Sequence, residues 1–394
     1  MKNSQIDELF KKGVEEVIVG DSLKKKLLSG KKLRIKHGVD PTTSNLSLGH
    51  AVCYHKLKEF QELGHKIVFL IGDFTARFGD PDKETARQMR KAEEVKQMAK
   101  NYIEQVGKVL DLRKTEIVYN STWYEKMSAE ELLKLISKFT IARLLERDMF
   151  VQRLKKNKEI QAHEIVYPVL QGYDSVMIES DLTVIGTDQK FNELQGRKLQ
   201  EEVGQKPQDI LTVPILVGTD GKQKMSQSLG NDISLNDDYK QMFGKVMSIP
   251  DDAIINYAEL AGRMSLLELE KIKKLVKNDP REAKIIVGRA IVDIYYPGKG
   301  TMAEAEFNRI FKDKQIPFDI PWVKLSGKNQ IGLVDILLKV KLVNSKSEAK
   351  RLIEQGGIKI DKVQIRNINS TIQIHDGMII QSGKRKYVKI ILKK

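Results

Sequence analysis

Five short strand-like runs, spaced by segments of helix length, dominate the first half of the chain. They are Leu33-Arg-Ile-Lys-His37, Lys66-Ile-Val-Phe-Leu-Ile71, Thr115-Glu-Ile-Val-Tyr119, Leu182-Thr-Val-Ile185 and Ile210-Leu-Thr-Val213. The second is apolar at every position after Lys66, as in a strand covered on both faces. Between the runs lie helical patterns: Leu48 to Leu63, stopped by Gly64, then Thr85 to Leu110, then His163 to Ile178. Pro168 should kink the last of these or mark an early turn. Such alternation specifies an α/β fold with a mostly parallel, doubly wound (Rossmann-like) sheet. Ligands of open parallel sheets bind beyond the carboxyl ends of the strands. The residues that follow each run are therefore the first candidates for chemistry.

From Ser234 onward the strand pattern vanishes. Leu266 to Lys277 and Arg281 to Ile294 read as helices, and Pro317, Pro321 and Gly327 punctuate a polar stretch. Two short helices and several short strands follow. The second helix has the capping-box string Ser345-Lys-Ser-Glu348 and ends at Gly356-Gly357. The expected division is an α/β domain over 1–232, an α-helical domain over 233–314, a linker over 315–330 and a small α+β domain over 331–394.

Charge separates these parts. The chain holds 68 Lys+Arg against 53 Asp+Glu, a net +15. Residues 331–394 hold fourteen Lys+Arg and five Asp+Glu, so nine of the fifteen net charges lie in the last sixth of the chain. A local basic module on a nearly balanced body suits a nucleic-acid-binding appendage. Lys346, Lys350 and Arg351 on one short helix, with Lys384-Arg-Lys386 on a strand or hairpin, are its candidate phosphate contacts. Cys53, the one cysteine, excludes an internal disulfide and a multi-cysteine zinc site and points to a reducing cytoplasm. With no base spaced to activate it, Cys53 reads as a packing residue. No apolar stretch approaches the ~20 residues of a membrane span, and the first ten residues lack a signal-peptide core. No membrane partner is expected.

Five polar strings carry the chemistry. Gly38-Val-Asp-Pro-Thr42 follows the first strand, and Ser47-Leu-Gly-His50 opens the next helix. Gly38 and Gly49 allow close approach, Thr42 offers a hydroxyl, and His50 at a helix N-terminus suits an anion. Gly72-Asp-Phe-Thr-Ala76 and Gly79-Asp80-Pro81 follow the second strand; their acids suit an ammonium group or a helix cap. Tyr167, Gln171 and Asp174 lie three and four residues apart on one helical face, and such polar groups in an apolar segment need partners. Gly186-Thr-Asp188-Gln189 offers a glycine and a carboxylate suited to ribose. Lys222-Gln-Lys224-Met-Ser226-Gln-Ser228 is a mobile-looking polar loop able to neutralise phosphates. No Walker-type or dinucleotide glycine motif occurs in the sheet region.

In this order the strings resemble those of class I aminoacyl-tRNA synthetases, specifically the bacterial-type tyrosyl-tRNA synthetases. Gly38 to His50 is similar to the family's HIGH region, and Lys224-Met-Ser-Gln-Ser228 to its KMSKS loop. Tyr167 to Asp174 and Gly186 to Gln189 resemble its tyrosine- and ribose-binding segments. The region from Gly332 resembles an S4 RNA-binding domain. The resemblance implies attack of the tyrosine carboxylate on the α-phosphate of ATP, then transfer of tyrosyl to the 3′ end of tRNA(Tyr). It implies catalytic roles for Thr42, His50, Lys224, Ser226 and Ser228. It implies ATP contacts by Gly38, Asp40, Ser47, Gly49, Gly186, Asp188 and Gln227. Tyrosine would be held by Thr75, Asp80, Tyr167, Gln171, Asp174 and Gln189, with Asp174 accepting the phenol hydroxyl. ATP would enter as substrate with Mg2+ accompanying it, no metal would be bound by the protein itself, and the chain would form a homodimer. This family is itself the standard instance of a site that rejects an analogue lacking a hydroxyl by ~10⁵, because a buried polar group would go unpaired.

Three positions depart from the family pattern. Ser47 stands where the first HIGH histidine is usual, Gln227 replaces the second KMSKS lysine, and Lys36 occupies a position where many members have a tyrosine. Lys222 is a candidate to compensate for Gln227. The first two changes predict a slower or rearranged activation step. They also motivate an alternative, an RNA-binding pseudo-synthetase with weakened activation. The tryptophanyl relative, which shares the fold, is the nearest enzymatic alternative.

Overall fold

The computed structural model describes residues 3–80, 90–311, 320–325, 330–383 and 386–392. It divides into two compact units, Met1–Glu304 and Ala305–Lys394.

The first unit is built on a six-stranded sheet in the order β1-β6-β5-β2-β3-β4. Its strands are β1 (Glu16–Ile18), β2 (Arg34–Val39), β3 (Lys66–Ile71), β4 (Thr115–Tyr119), β5 (Leu182–Gly186) and β6 (Asp209–Val213). β2 to β6 run parallel; β1 pairs antiparallel with β6, Val17 opposite Leu211. All five strands read from the sequence are present. β1 carries only three residues, too few for its Val17-Ile18 pair to signal a strand, so its pairing with β6 supplies what its own sequence does not. The residues of β3 after Lys66 and all of β6 are buried, as continuous apolar strands require. The chain proceeds outward from β2 to β3 and β4, then returns to place β5 and β6 on the other side of β2. This reversal makes the carboxyl ends of β2 and β5 the switch-point crevice of the sheet.

The helix Leu48–Glu62 follows β2 and buries Leu48, Ala51, Val52, Tyr54, Leu57 and Phe60; Gly64, at φ 87°, lets the chain turn back into β3. The expected helix Thr85–Leu110 is shorter. It spans Ala92–Val106 behind an extended Lys91, and residues 81–89 of that expectation lie outside the described residues. The helix Ala162–Ile178 runs through Pro168 without a break and ends on Glu179 in the left-handed region, φ 53°. Its tight packing on the helix Lys190–Glu202 overrides the proline's local preference: a Cβ on Gly172 would meet the backbone of Gly196 at 2.9 Å. Beyond Ser234 the described residues of this unit are helical. Ser265 caps Leu266–Asn278 with Glu268 reciprocating, and Asp279 caps Pro280–Tyr295.

The second unit holds a five-stranded sheet, β10-β9-β12-β13-β7, and a two-stranded one, β11-β8. The strands are β7 (Trp322–Leu325), β8 (Gln330–Gly332), β9 (Ile358–Ile360), β10 (Val363–Ile365), β11 (Thr371–Gln373), β12 (Ile379–Ser382) and β13 (Lys386–Leu392). β7 lies inside the stretch expected to be a linker and pairs parallel with β13; residues 315–319 and 326–329 of that stretch lie outside the described residues. Helices Leu333–Lys339 and Lys346–Glu354 pack on one face of the larger sheet, burying Leu337, Ile353, Ile358, Ile380, Val388 and Ile390 together. The capping box is half made: Ser345 accepts from the Glu348 N–H, but Glu348 Oε2 takes the N–H of Asn344 instead of Ser345.

Candidate active site

Every candidate residue named above for catalysis, ATP or tyrosine lines one cavity of about 660 Å³ beyond the carboxyl ends of β2 and β5. Fold topology explains the convergence, because the strings follow different strands that end at the same edge. Gly72 shows how tight the crevice is: a Cβ there would collide with Asp40 Oδ1 and Thr75 Oγ1.

The inner half of the cavity is a hydrogen-bonded set of carboxylates. Asp174 Oδ1 accepts from Trp123 Nε1 at 3.1 Å and Oδ2 from Asn120 Nδ2 at 3.4 Å. Asn120 also donates to Thr75 Oγ1 at 3.0 Å. Thr75 and Tyr167 donate to the two oxygens of Asp40, each at 2.8 Å. Asp40, assigned with ATP by resemblance, is therefore joined to Thr75 and Tyr167 of the tyrosine set. The turn after β2 brings it over Gly72, beside β3, and so toward them. Burial pushes Asp40 up to about 7, against the Thr75 and Tyr167 bonds and with added repulsion from Asp80 and Asp174. Burial likewise pushes Asp174 up to about 7, opposed by the Lys36 charge and by hydrogen bonds.

A second network fixes the wall behind them. Lys36, 1% exposed, donates to Ser175 Oγ at 2.6 Å and pairs with Glu193 at 2.8 Å. Glu193 also accepts from Gln171 Nε2 and Gln208 Nε2, each at 2.9 Å. Asn192 donates to Gln171 at 2.7 Å and Gln189 at 3.1 Å; Gln189 reaches Asp80 at 3.0 Å, and Asp80 pairs with Arg147 at 2.7 Å. Asn192, Glu193, Arg147, Trp123 and Asn120 were not singled out from the sequence. Gln189, Asn192 and Glu193 are three and four residues apart, a periodicity from which the last two could have been read. Asn120 and Arg147 precede short helices and Trp123 lies in the four-residue helix Ser121–Tyr124, none with a local signal.

The outer half suits phosphates. Ser47 is the N-cap of Leu48–Glu62, and His50 Nδ1 accepts its backbone N–H at 3.2 Å and lies 3.0 Å from its Oγ. His50 is open to the cavity, yet surrounding protein and then Lys224 hold its imidazole below the ordinary range. A Cβ on Gly49 would meet Met225 at 3.4 Å, so the loop 224–228 packs on the helix start through this glycine. Lys224 Nζ pairs with Asp188 at 2.5 Å; burial opposes the Asp188 charge, but Lys224 outweighs it and holds the carboxyl below its usual range. Gly186 makes room for that carboxylate, since a Cβ there would crowd Asp188 Oδ1 at 2.7 Å. Ser226 and Ser228 hydroxyls lie 3.0 Å apart, and Gln227 donates to Ser44 Oγ at 3.3 Å. Thr42 and Gly38 complete the wall. Lys222 is exposed and is not among the described residues lining the cavity. Burial pushes the Cys53 thiol up to about 12, consistent with a packing role.

In the second unit, Lys346, Lys350 and Arg351 are all exposed on Lys346–Glu354, opposite buried Ala349 and Ile353. Lys384 and Arg385 lie outside the described residues, and Lys386 opens β13.

Comparison with known proteins matches residues 28–312 to the family described as "tRNA synthetases class I (W and Y)" and residues 313–390 to the "Tyrosine--tRNA ligase SYY-like C-terminal domain". The tyrosine–tRNA ligase of Dehalococcoides mccartyi is 45% identical over 98% of this chain and 99% of its own. That of Carboxydothermus hydrogenoformans is 44% identical over 98% of each. Among solved structures, the C-terminally truncated mitochondrial tyrosyl-tRNA synthetase of Aspergillus nidulans superposes with TM-score 0.65 at 20% identity, covering 79% of this chain and 95% of that one. The Archaeoglobus fulgidus enzyme, solved with L-tyrosine, gives 0.62 at 22% identity, covering 76% and 99%. These two share the fold.

Proposed function

Because the chain belongs to the tyrosine–tRNA ligases of the class I tRNA synthetase family, we propose a division of labour among its cavity residues. The enzyme joins tyrosine to ATP as tyrosyl-adenylate and passes tyrosyl to tRNA(Tyr). Relatives named tyrosine–tRNA ligase over nearly the full chain remove the support for an RNA-binding pseudo-synthetase and for a tryptophan enzyme.

The observation that carries the proposal is the convergence of all the candidate residues on one crevice with a carboxylate-lined inner end and a cationic outer end. Asp174, fed only by donors, is the acceptor for the phenol hydroxyl. Tyr167, Gln171 and Asp80 surround the ammonium group, with Asp40, Thr75 and Gln189 holding them. Gly186 and Asp188 receive the ribose. In the first step a tyrosine carboxylate oxygen bonds to the α-phosphorus, and the bond from that phosphorus to the bridging oxygen breaks, releasing pyrophosphate. Lys224, His50, Thr42, Ser226 and Ser228 bind the phosphate oxygens as charge builds there, so the work is positioning and electrostatics with no covalent nucleophile. In the second step a hydroxyl of the terminal tRNA ribose attacks the tyrosyl carbonyl and AMP leaves. Mg2+ would arrive on the ATP phosphates; among the described residues no group of three or more His, Cys, Asp or Glu is arranged to hold an ion. We carry forward a slower activation step, since Ser47 is engaged at the helix cap and Gln227 at Ser44. We also propose a homodimer working in the cytoplasm; no helix among the described residues is long and apolar enough to cross a membrane. The helical part expected over 233–314 is the anticodon side, and Lys346, Lys350 and Arg351 contact tRNA phosphates.

Tyrosine-dependent ATP–pyrophosphate exchange is the direct test, and its absence from pure protein would sink the proposal. The inner carboxyls predict its pH dependence. Asp40 and Asp174 both change charge near 7; the Asp174 anion is the stronger acceptor for the phenol, and the Asp40 anion holds Thr75 and Tyr167 and adds negative charge beside the ammonium site. The KM for tyrosine should therefore fall as pH rises from about 6 to about 8. Stability runs the other way and over a lower window: the unfolded chain releases these protons first, so the free enzyme loses stability as pH rises from about 4 to about 7. Exchange kinetics and melting curves across pH check the two signs. In the second unit, Lys350→Ala with Arg351→Ala should weaken tRNA(Tyr) binding and flatten the slope of log K against log salt by ~1–2. Anisotropy titrations at several salt concentrations read it.

A further inference from the structure

Among the described residues, the larger sheet of the C-terminal unit has helices on one face only, and its other face carries basic, aromatic and neutral side chains but no acid. The register across the strands places Trp322 and Lys324 of β7 beside Lys389 and Ile391 of β13, with Tyr387 on the same side. It continues through Ile379 and Gln381 of β12 to Lys359 of β9 and Gln364 of β10. Their strand neighbours Val323, Leu325, Val388, Ile390, Ile380, Ile358 and Ile360 point into the core instead. Trp322 is 58% exposed, and Lys324 Nζ sits 5.5 Å from its ring centroid. Lys324, Lys359 and Lys389 are exposed as well, and no acidic residue falls on this face among the described strand residues.

An unpartnered face of three lysines, two aromatic rings and no carboxylate is complementary to one kind of ligand. Lysines attract phosphates without reading sequence, and flat rings next to them stack unpaired bases. A second copy of this chain, itself at +15, would meet like charge here. We propose that this open sheet face, centred on Trp322, Lys324, Tyr387 and Lys389, binds unpaired nucleotides of RNA. It is a surface distinct from the helix of Lys350 and Arg351, which lies across the core on the other side of the sheet. The inference rests on reading the C-terminal unit as RNA-binding, and not on any role assigned in the cavity.

The test uses the full chain, a fluorescein-labelled oligouridylate and a labelled blunt RNA duplex. Trp322→Ala should weaken oligouridylate binding by roughly tenfold, as expected for one stacked base, and leave duplex binding within about twofold. Trp322→Phe should restore most of the loss. Lys389→Ala should reduce the salt slope for the oligonucleotide by ~0.7. Tyrosine-dependent exchange should be unchanged in all three variants, which separates this inference from the assignment of the cavity. Oligouridylate binding that is absent in the parent, or insensitive to Trp322→Ala and lost with Lys350→Ala, would overturn it. So would equal losses for oligonucleotide and duplex, or a change in sedimentation with no change in RNA affinity.

Discussion

Asp174→Asn is expected to lower kcat/KM for tyrosine in the exchange reaction by roughly 10²- to 10³-fold, the cost of losing an ionic acceptor in a buried site. The environment explains why asparagine does not substitute. Trp123 Nε1–H and Asn120 Nδ2–H both donate to Asp174, one to each oxygen. An amide can accept from one of them, but its NH₂ then faces the other donor and leaves little for the phenol hydroxyl. Activity toward phenylalanine, which needs no acceptor, should hardly change, so the tyrosine preference collapses. The loss will not be unfolding. Burial already disfavours the Asp174 charge, which offsets the cost of the unmatched donor, so the melting temperature at pH 7 should change little. An unaltered tyrosine-to-phenylalanine ratio would show that another group reads the hydroxyl.

Lys36→Met is expected to cost about 3–5 kcal/mol of stability, because it strands a buried carboxylate. Glu193, 1% exposed, would keep Gln171 and Gln208 as donors but lose its cation. The second variant, Lys36→Met with Glu193→Gln, should regain part of that loss. It cannot regain all, since one amide oxygen replaces two carboxylate oxygens and one glutamine donor is left unmatched. Denaturant midpoints for both singles and the double give the coupling directly. Additive losses would mean that the pair is not a unit. The KM for tyrosine should rise in the single variant beyond what stability explains, because Gln171 is held through Glu193.

The sheet was legible because its strands are signalled locally. β3 is apolar after Lys66, and β2 and β5 end in glycine-containing strings suited to a ligand edge. What escaped was non-local. β1 exists because β6 offers an edge, and β7 exists because β13, more than sixty residues onward, offers another. Pro321 precedes β7 directly, and it reads as linker punctuation unless that pairing is known, although proline at the mouth of an edge strand is permitted. The cavity divides the same way. Tyr167, Gln171 and Asp174 announce themselves by helical spacing, whereas Arg147, Trp123 and Asn120 support its lining residues from short segments that carry no pattern. Lys36 was visible as a departure, but nothing in its own string indicated Glu193 as its counter-charge.

The start of the helix after β2 has a consequence for protons. A backbone N–H can only donate, so the contact from Ser47 N–H to His50 Nδ1 obliges that nitrogen to present a lone pair. The neutral ring must then carry its hydrogen on Nε2, the tautomer able to donate to a phosphate oxygen. The helix cap thereby decides, before any nucleotide arrives, which nitrogen of His50 bears the hydrogen. Serine at position 47 does not disturb this arrangement, because the deciding group is the peptide and not the side chain.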